Sequence, residues 1–358
     1  MERDYNIKLT DLKRKLKYLK KIDDGSDLFR SDIFNLETFI RRYDSNFQTP
    51  LGYVNDDFWD DVLEDVAGLN LSSKIISILQ GLNLDFNPFA EYSANYTSLY
   101  LSDNDAVDLA YEFYRTDACV FYNSFLDVYD SLPNHLQFIQ PNKYTDGEVI
   151  NLRSTRDRYI FSPSNPDITK VTILIHEIQH AIDGLENNDF SYHFLISEVA
   201  SLFMELLACD FAAKKLNVPS DGDKRKASIQ SIIVNDSIYL VDKFEMFQSL
   251  NGLQVSNLDQ LYAELNKKGY PNDEVDEYLK YSVSSMISYQ LPLLIAIELY
   301  KLYKADKIDA LETLLGIIRY GTNDNIFDIL QGIELYPGIG FKEYQDDLVK
   351  KLQLKRRF

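Results

Sequence analysis

The stretch Val171-Thr-Ile-Leu-Ile-His-Glu-Ile-Gln-His-Ala-Ile-Asp-Gly184 decides how this chain is read. His176 and His180 stand four apart, with Glu177 beside the first. On a helix, positions i and i+4 lie one turn apart on the same face. Two imidazoles so placed can share one metal ion, and a Glu at the second position can reach a water on that metal. The residues leading in, Val171, Ile173, Leu174 and Ile175, are apolar. The helix is therefore expected to be buried, and its His and Glu side chains need partners. The competing reading is a pair of core histidines hydrogen-bonded to their neighbours.

A hydrolytic zinc site takes three protein ligands and leaves one position open for water. No third histidine follows at the spacing H-E-x-x-H-x-x-G-x-x-H. The remaining ligand is then expected to be an acid on a later helix. Ser197-Glu-Val-Ala-Ser-Leu-Phe-Met-Glu-Leu-Leu207 offers Glu198 and Glu205, seven apart, which is two turns on one helix face. Their surroundings are apolar. One acid can bind the metal while the other orients a ligand histidine. Asp210 falls off that stripe.

Outward from the motif, helical periodicity dominates. Helices are expected over 10–22, 31–43, 56–67, 72–82 and 106–129, the last capped by Asp105. The motif helix is expected over 168–183, capped by Asp167 and stopped by Gly184, and the helix with the two acids over about 194–216. Further helices are expected over 224–249, 258–268, 273–303, 306–318, 325–332 and 341–352. One stretch breaks the pattern. Glu148 to Leu152 and Arg158 to Phe161 are β-prone runs around a polar segment, which reads as a hairpin. The fold class is thus all-α with one small β-hairpin or sheet beside the metal helix. The expected lobes are 1–140, helical, and 141–358, carrying the site and the C-terminal helices.

Composition bounds the function. The chain has 358 residues, 45% hydrophobic and 26% charged, so it can bury a large core. Gly (14) and Pro (10) are scarce, which favours long helices. The net charge of -19 disfavours a grip on nucleic acid or on an acidic membrane. Cys119 and Cys209 sit in apolar helical patterns and are expected to be buried thiols rather than a disulfide framework. The N-terminus shows no secretory signal, and the apolar run from Leu291 to Leu299 is too short to span a bilayer. A cytoplasmic location is expected.

These motifs resemble the thimet oligopeptidase family of zinc metallopeptidases, most closely its oligoendopeptidase F branch. That branch follows its H-E-x-x-H helix with a helix bearing a segment like E-I-A-S-T-x-N-E. Glu198-Val-Ala-Ser-Leu-Phe-Met-Glu205 matches it at both acids and at the Ala-Ser pair. The resemblance implies one Zn2+ per chain held by His176, His180 and Glu198. It implies Glu177 as the catalytic base and Glu205 as the acid behind the ligands. Arg158-Tyr-Ile-Phe-Ser162 stands where the family has a strand before the metal helix, and its edge is expected to pair with an extended peptide. The family position that is often His after the motif is Asp183 here.

Further along, Tyr278-Leu-Lys-Tyr281-Ser-Val-Ser-Ser285-Met-Ile-Ser-Tyr289 is similar at Tyr281 to a family segment Y-x-Y-x-Y-A-T-G, without its Gly. Tyr281 and Tyr289 lie on one helix face and read either as phenol donors to a tetrahedral oxyanion or as aromatic packing. His193, just before the Glu198 helix, reads either as a donor to a substrate carbonyl or as a loop cap. The resemblance implies a bowl-like helical zincin that hydrolyses internal bonds of short unstructured peptides. The alternatives are an endoprotease selective for one protein target and a catalytically silent zinc-binding peptide receptor.

Overall fold

A computed structural model of the chain describes residues 5–44, 96–140, 147–187, 198–229, 258–273 and 283–320, with isolated positions outside these ranges. Helices dominate. The first two, α1 (Leu9–Ile22) and α2 (Asp27–Asp44), form a helical hairpin. There follow α3 (Asp103–Thr116), a 3-10 turn at Cys119–Phe121, α4 (Tyr122–Tyr129) and the short α5 (Leu132–His135). Three strands come next: β1 (Leu136–Ile139), β2 (Glu148–Leu152) and β3 (Asp157–Pro163). The motif lies on α6 (Thr169–Glu186), and the two acids belong to α7 (Val199–Leu216), with Glu198 as its N-cap residue. A further helix, α8, covers 219–229. The remaining helices are α9 (Leu258–Lys268), α10 (Val283–Ala305) and α11 (Lys307–Tyr320).

Two compact units divide the chain: Met1–Leu51 with Ala94–Lys226 and Ile295–Phe358, and Gly52–Ser93 with Ala227–Leu294. The first unit carries the motif. The expected helices at 56–67, 72–82, 325–332 and 341–352 lie outside the described residues. Among the described residues, no helix is long and apolar enough to cross a membrane.

The sheet explains how the motif helix is held. Its order is β1-β3-β2, with β1 parallel and β2 antiparallel to β3. Alternation along a strand sends successive side chains to opposite faces. Ile150 and Leu152 of β2 and Tyr159 and Phe161 of β3 join Leu12, Leu19, Leu36, Phe39 and Ile40 in one buried cluster under α1 and α2. The Phe39 and Phe161 ring centroids are 4.3 Å apart. The other face packs on α6. There Asn151 donates from Nδ2 to the His180 carbonyl at 3.2 Å, tying β2 to the second half of the motif. β3 is buried on both faces, as a central strand should be.

The hairpin read from 148–161 is present. Several other expectations differ. The strand β1 was not expected; its four residues directly follow the helical turn Leu132–His135. The single helix over 106–129 is broken at Asp117 and Ala118. It starts at a capping box in which Ser102, not Asp105, is the N-cap, and Asp105 Oδ2 accepts from the Ser102 N–H. The break throws Cys119 out of the helical stripe, so it is exposed, whereas Cys209 is buried as expected. Gly184 does not stop α6, which runs on to Glu186; the glycine lets the helix pass close to the Asn151 side chain.

Both α6 and α7 are buried around most of their circumference. Such helices are core elements rather than surface helices with one apolar stripe. They pack on each other, and α3 and α4 add to the wall of α6.

If Phe161 anchors the sheet to α1 and α2, Phe161→Ala should cost about 3–5 kcal/mol, as fully buried aromatic deletions do. Denaturant unfolding of the variant should show that loss, and a change under 1 kcal/mol would place the anchor elsewhere.

Candidate metal centre

Each turn of α6 delivers one imidazole to the same place. The Nε2 atoms of His176 and His180 face each other at 3.2 Å. Glu198 Oε2 lies 3.4 Å from the first and 3.2 Å from the second. Among the described residues, these three side chains are the group able to hold a metal ion. Zinc bonds of about 2.0–2.1 Å set at the tetrahedral angle would hold donors roughly 3.3–3.4 Å apart. The three observed separations match that edge length. Two His and one carboxylate are also a donor set of hydrolytic zinc.

The second acid works on the same ring from behind. Glu205 Oε2 is 3.2 Å from His176 Nδ1. The His176 imidazole thus spans the two acids of α7, its Nε2 toward Glu198 and its Nδ1 toward Glu205. Seven residues rise about 10.5 Å along α7, and the ring with its 3.4 Å and 3.2 Å contacts bridges most of that span. A carboxylate at Nδ1 favours the Nδ1–H tautomer and leaves the Nε2 lone pair able to bind a metal. Ser201, one turn into α7, donates to Glu198 Oε2 at 3.2 Å and steadies the carboxylate.

The charges compensate one another. Burial would lower the pKa of both imidazoles; Glu198, helped at His176 by Glu205, outweighs it and raises them. Burial would raise the Glu198 carboxyl, but the two imidazoles hold it well below the carboxylate range. For Glu177 burial wins, pushing its carboxyl up to about 7 against the pull of His176 and His180.

Glu177 is buried and has an unusual neighbour. Gly147, just ahead of β2, lies so close that a Cβ there would overlap the Glu177 carboxyl. The sheet therefore presses backbone, not side chain, against this acid. In the sequence Asp146-Gly147-Glu148 is an ordinary turn signal, so nothing marked this role.

No family model matches the sequence, and no curated protein does either. Solved structures do match. A candidate oligoendopeptidase F from Bacillus anthracis superposes with a TM-score of 0.52 at 16% identity, over 94% of this chain and 65% of that one. A candidate peptidase from Chlamydophila abortus gives 0.52 at 16% identity, over 84% and 55% of the two chains. A further candidate oligoendopeptidase F gives 0.51 at 14% identity, over 96% and 65%. The chain has the oligoendopeptidase fold. It spans 65% of the length of the Bacillus protein.

Within this oligoendopeptidase fold, the fold expected from the motifs is the one observed. The structure brings His176, His180, Glu198 and Glu205 together, with Glu177 adjoining. His193 and Tyr281 lie outside the described residues, as does the side chain of Tyr289. Asp183 is buried on the inner side of α6, accepting from Gln179 Nε2 at 2.8 Å. Gln179 in turn accepts from the Tyr114 hydroxyl at 3.1 Å. Burial pushes the Asp183 carboxyl up to about 7.

One expectation about this region fails. β3 was expected to offer an edge to an extended peptide, but it is paired on both sides. Among the described residues the outer edge nearest Glu177 belongs to β2. A cleft of about 430 Å³ opens along that strand, lined by Asn35 and Thr38 of α2 and by Glu148, Val149, Ile150 and Arg153.

The two acids of α7 should separate in metal binding. Glu198→Ala removes a donor, and metal occupancy should collapse in elemental analysis. Glu205→Ala leaves the donors in place and should weaken binding by about 10- to 100-fold in chelator competition. The reverse order would make Glu205 the ligand.

Proposed function

We propose that this chain is a zinc-dependent metallopeptidase that hydrolyses internal bonds of short, unstructured peptides. The observation that carries the reading is the convergence of His176, His180 and Glu198 at tetrahedral spacing, with Glu177 beside them. That it occurs in an oligoendopeptidase fold supports the same reading.

The three residues would hold one Zn2+, which when bound supplies Lewis acidity toward water and toward a peptide carbonyl. Glu177 takes the proton from the attacking water and later passes it to the leaving amine. Its carboxyl is held for this by Gly147 backbone on one side and the motif helix on the other. Glu205 keeps His176 in one tautomer. Tyr281 is the first choice for a hydroxyl donor to the developing oxyanion, Tyr289 the second and His193 the third.

Substrate docking follows from the sheet. An edge strand binds an extended chain through backbone hydrogen bonds, and side-chain pockets set the preference. The outer edge of β2 begins one residue from Gly147, so a peptide added there passes Glu177. A folded protein does not present such a strand, which accounts for the preference for unstructured peptides. The net charge of -19 argues against nucleic acid and membrane as partners. Cys119 and Cys209 are both unpaired thiols, in keeping with a reducing cytoplasm.

A fluorogenic peptide library tests the reading, since broad cleavage, cleavage of one sequence and no cleavage are distinct results. Broad cleavage supports it. One cleaved sequence would indicate a selective protease, and no cleavage by the zinc-loaded chain would leave a binding protein. Glu177→Gln should lower turnover by about 10²-fold or more with zinc still bound. Near-normal turnover would remove Glu177 from the role of base.

Gly147→Ala keeps every titratable group. It should nevertheless lower turnover by displacing the Glu177 carboxyl, while chelator competition shows unchanged zinc affinity. Wild-type rates in that variant would show that the close approach has no part in catalysis.

A further inference from the structure

The second acid of α7 is gripped from its far side by a residue of the next helix. Arg225 of α8 sends Nε to Glu205 Oε1 at 2.9 Å, and its Nη2 reaches the same oxygen. The other oxygen, Oε2, faces His176 Nδ1 at 3.2 Å. The two oxygens of one buried carboxylate are thereby assigned to different partners.

We propose that Arg225 is a positioning residue for the metal centre, acting through Glu205 on the orientation of His176 and so on metal affinity. The inference rests on the reading of His176, His180 and Glu198 as the metal ligands. A carboxylate with one partner is free to rotate about its terminal bond. Two N–H groups converging on Oε1 remove that freedom, because a guanidinium is a rigid planar fork. With Oε1 fixed, Oε2 has one place to point, and that place is Nδ1 of His176. The ring is then set with Nε2 toward His180 and Glu198.

The packing of α8 on α7 makes this reach possible. Asn217 ends α7 in the left-handed conformation, at φ 57°, and the chain turns back over the helix. Gly222 then meets α7 directly. A Cβ on Gly222 would lie 2.6 Å from the Cβ of Ala213 and 2.9 Å from the carbonyl oxygen of Cys209. No side chain fits there without moving α8 outward. Gly222 and Arg225 are three apart, close to one turn, so the glycine that seats the helix also sets the distance from which Arg225 works.

Zinc affinity measured by chelator competition tests the proposal without reference to catalysis. Arg225→Gln should weaken zinc binding by about 10-fold, as loss of an outer partner does, and Arg225→Lys by less. The double variant Arg225→Gln/Glu205→Gln should bind no more weakly than Glu205→Gln alone, because Arg225 acts through that carboxylate. Gly222→Ala removes no polar group, yet should weaken zinc in the same direction. Circular dichroism and the thermal midpoint report whether each variant is folded. Wild-type affinity in folded Arg225→Gln, or losses that multiply in the double variant, would overturn the proposal. If Arg225→Gln does not fold, Gly222→Ala decides, and wild-type affinity there overturns it equally. A wild-type chain that binds no zinc defeats the metallopeptidase reading and this inference with it. A wild-type chain that binds zinc, with Arg225→Gln its equal, defeats this inference alone.

Discussion

Two imidazoles one helical turn apart, buried between packed helices, must be given partners. That requirement organises the first unit. α6 is buried on most sides, and His176 and His180 keep only 14% and 20% of their side-chain surface exposed. An unpaired polar group in such a place costs roughly 1–3 kcal/mol or more. α7 meets the need with two acids, Glu198 at both rings and Glu205 at His176, while Asn151 of β2 ties the backbone of the same helix through the His180 carbonyl. Arg225 then closes the chain of partners beyond Glu205.

The sheet is small but its position is decisive. It stands between the α1–α2 hairpin and α6, so packing on one face is transmitted to the motif helix on the other. Its central strand is closed on both edges, and of the two outer strands β2 is the one that adjoins Glu177 through Gly147. That strand begins where Gly147 touches Glu177. The outer edge of the sheet and the buried acid of the motif are thereby brought within one residue of each other along the chain.

Much of this was legible in the sequence, and the physical reason is periodicity. His176 and His180 at four apart, and Glu198 and Glu205 at seven, are multiples of a helical turn, so their faces followed without any tertiary information. The β2–β3 hairpin was legible because its two runs are local and bounded by turn residues. What was not legible depends on contacts between distant segments. β1 pairs with β3 across more than twenty residues, and its four residues carry no signal of their own. That pairing is what closes the edge expected to be free. Arg225 is one cation on a helix with several, and only its approach to Glu205 singles it out. Gly147 and Gly222 look like punctuation in the sequence; in the fold each marks a place where two segments touch without a side chain between them. Cys119 was misplaced because a break at Asp117 and Ala118 moved it off the expected stripe.

The burial of α6 on nearly all sides has a consequence for motion. Amide hydrogens in a helix wrapped by a sheet, α3, α4 and α7 exchange with solvent only when those neighbours separate. The two histidines therefore ride on a segment whose opening is tied to the unfolding of the unit around it. Exposed loops and chain ends can fluctuate on their own time scale. The spacing between the two rings is thus tied to the core of the unit, and it holds for as long as that core does.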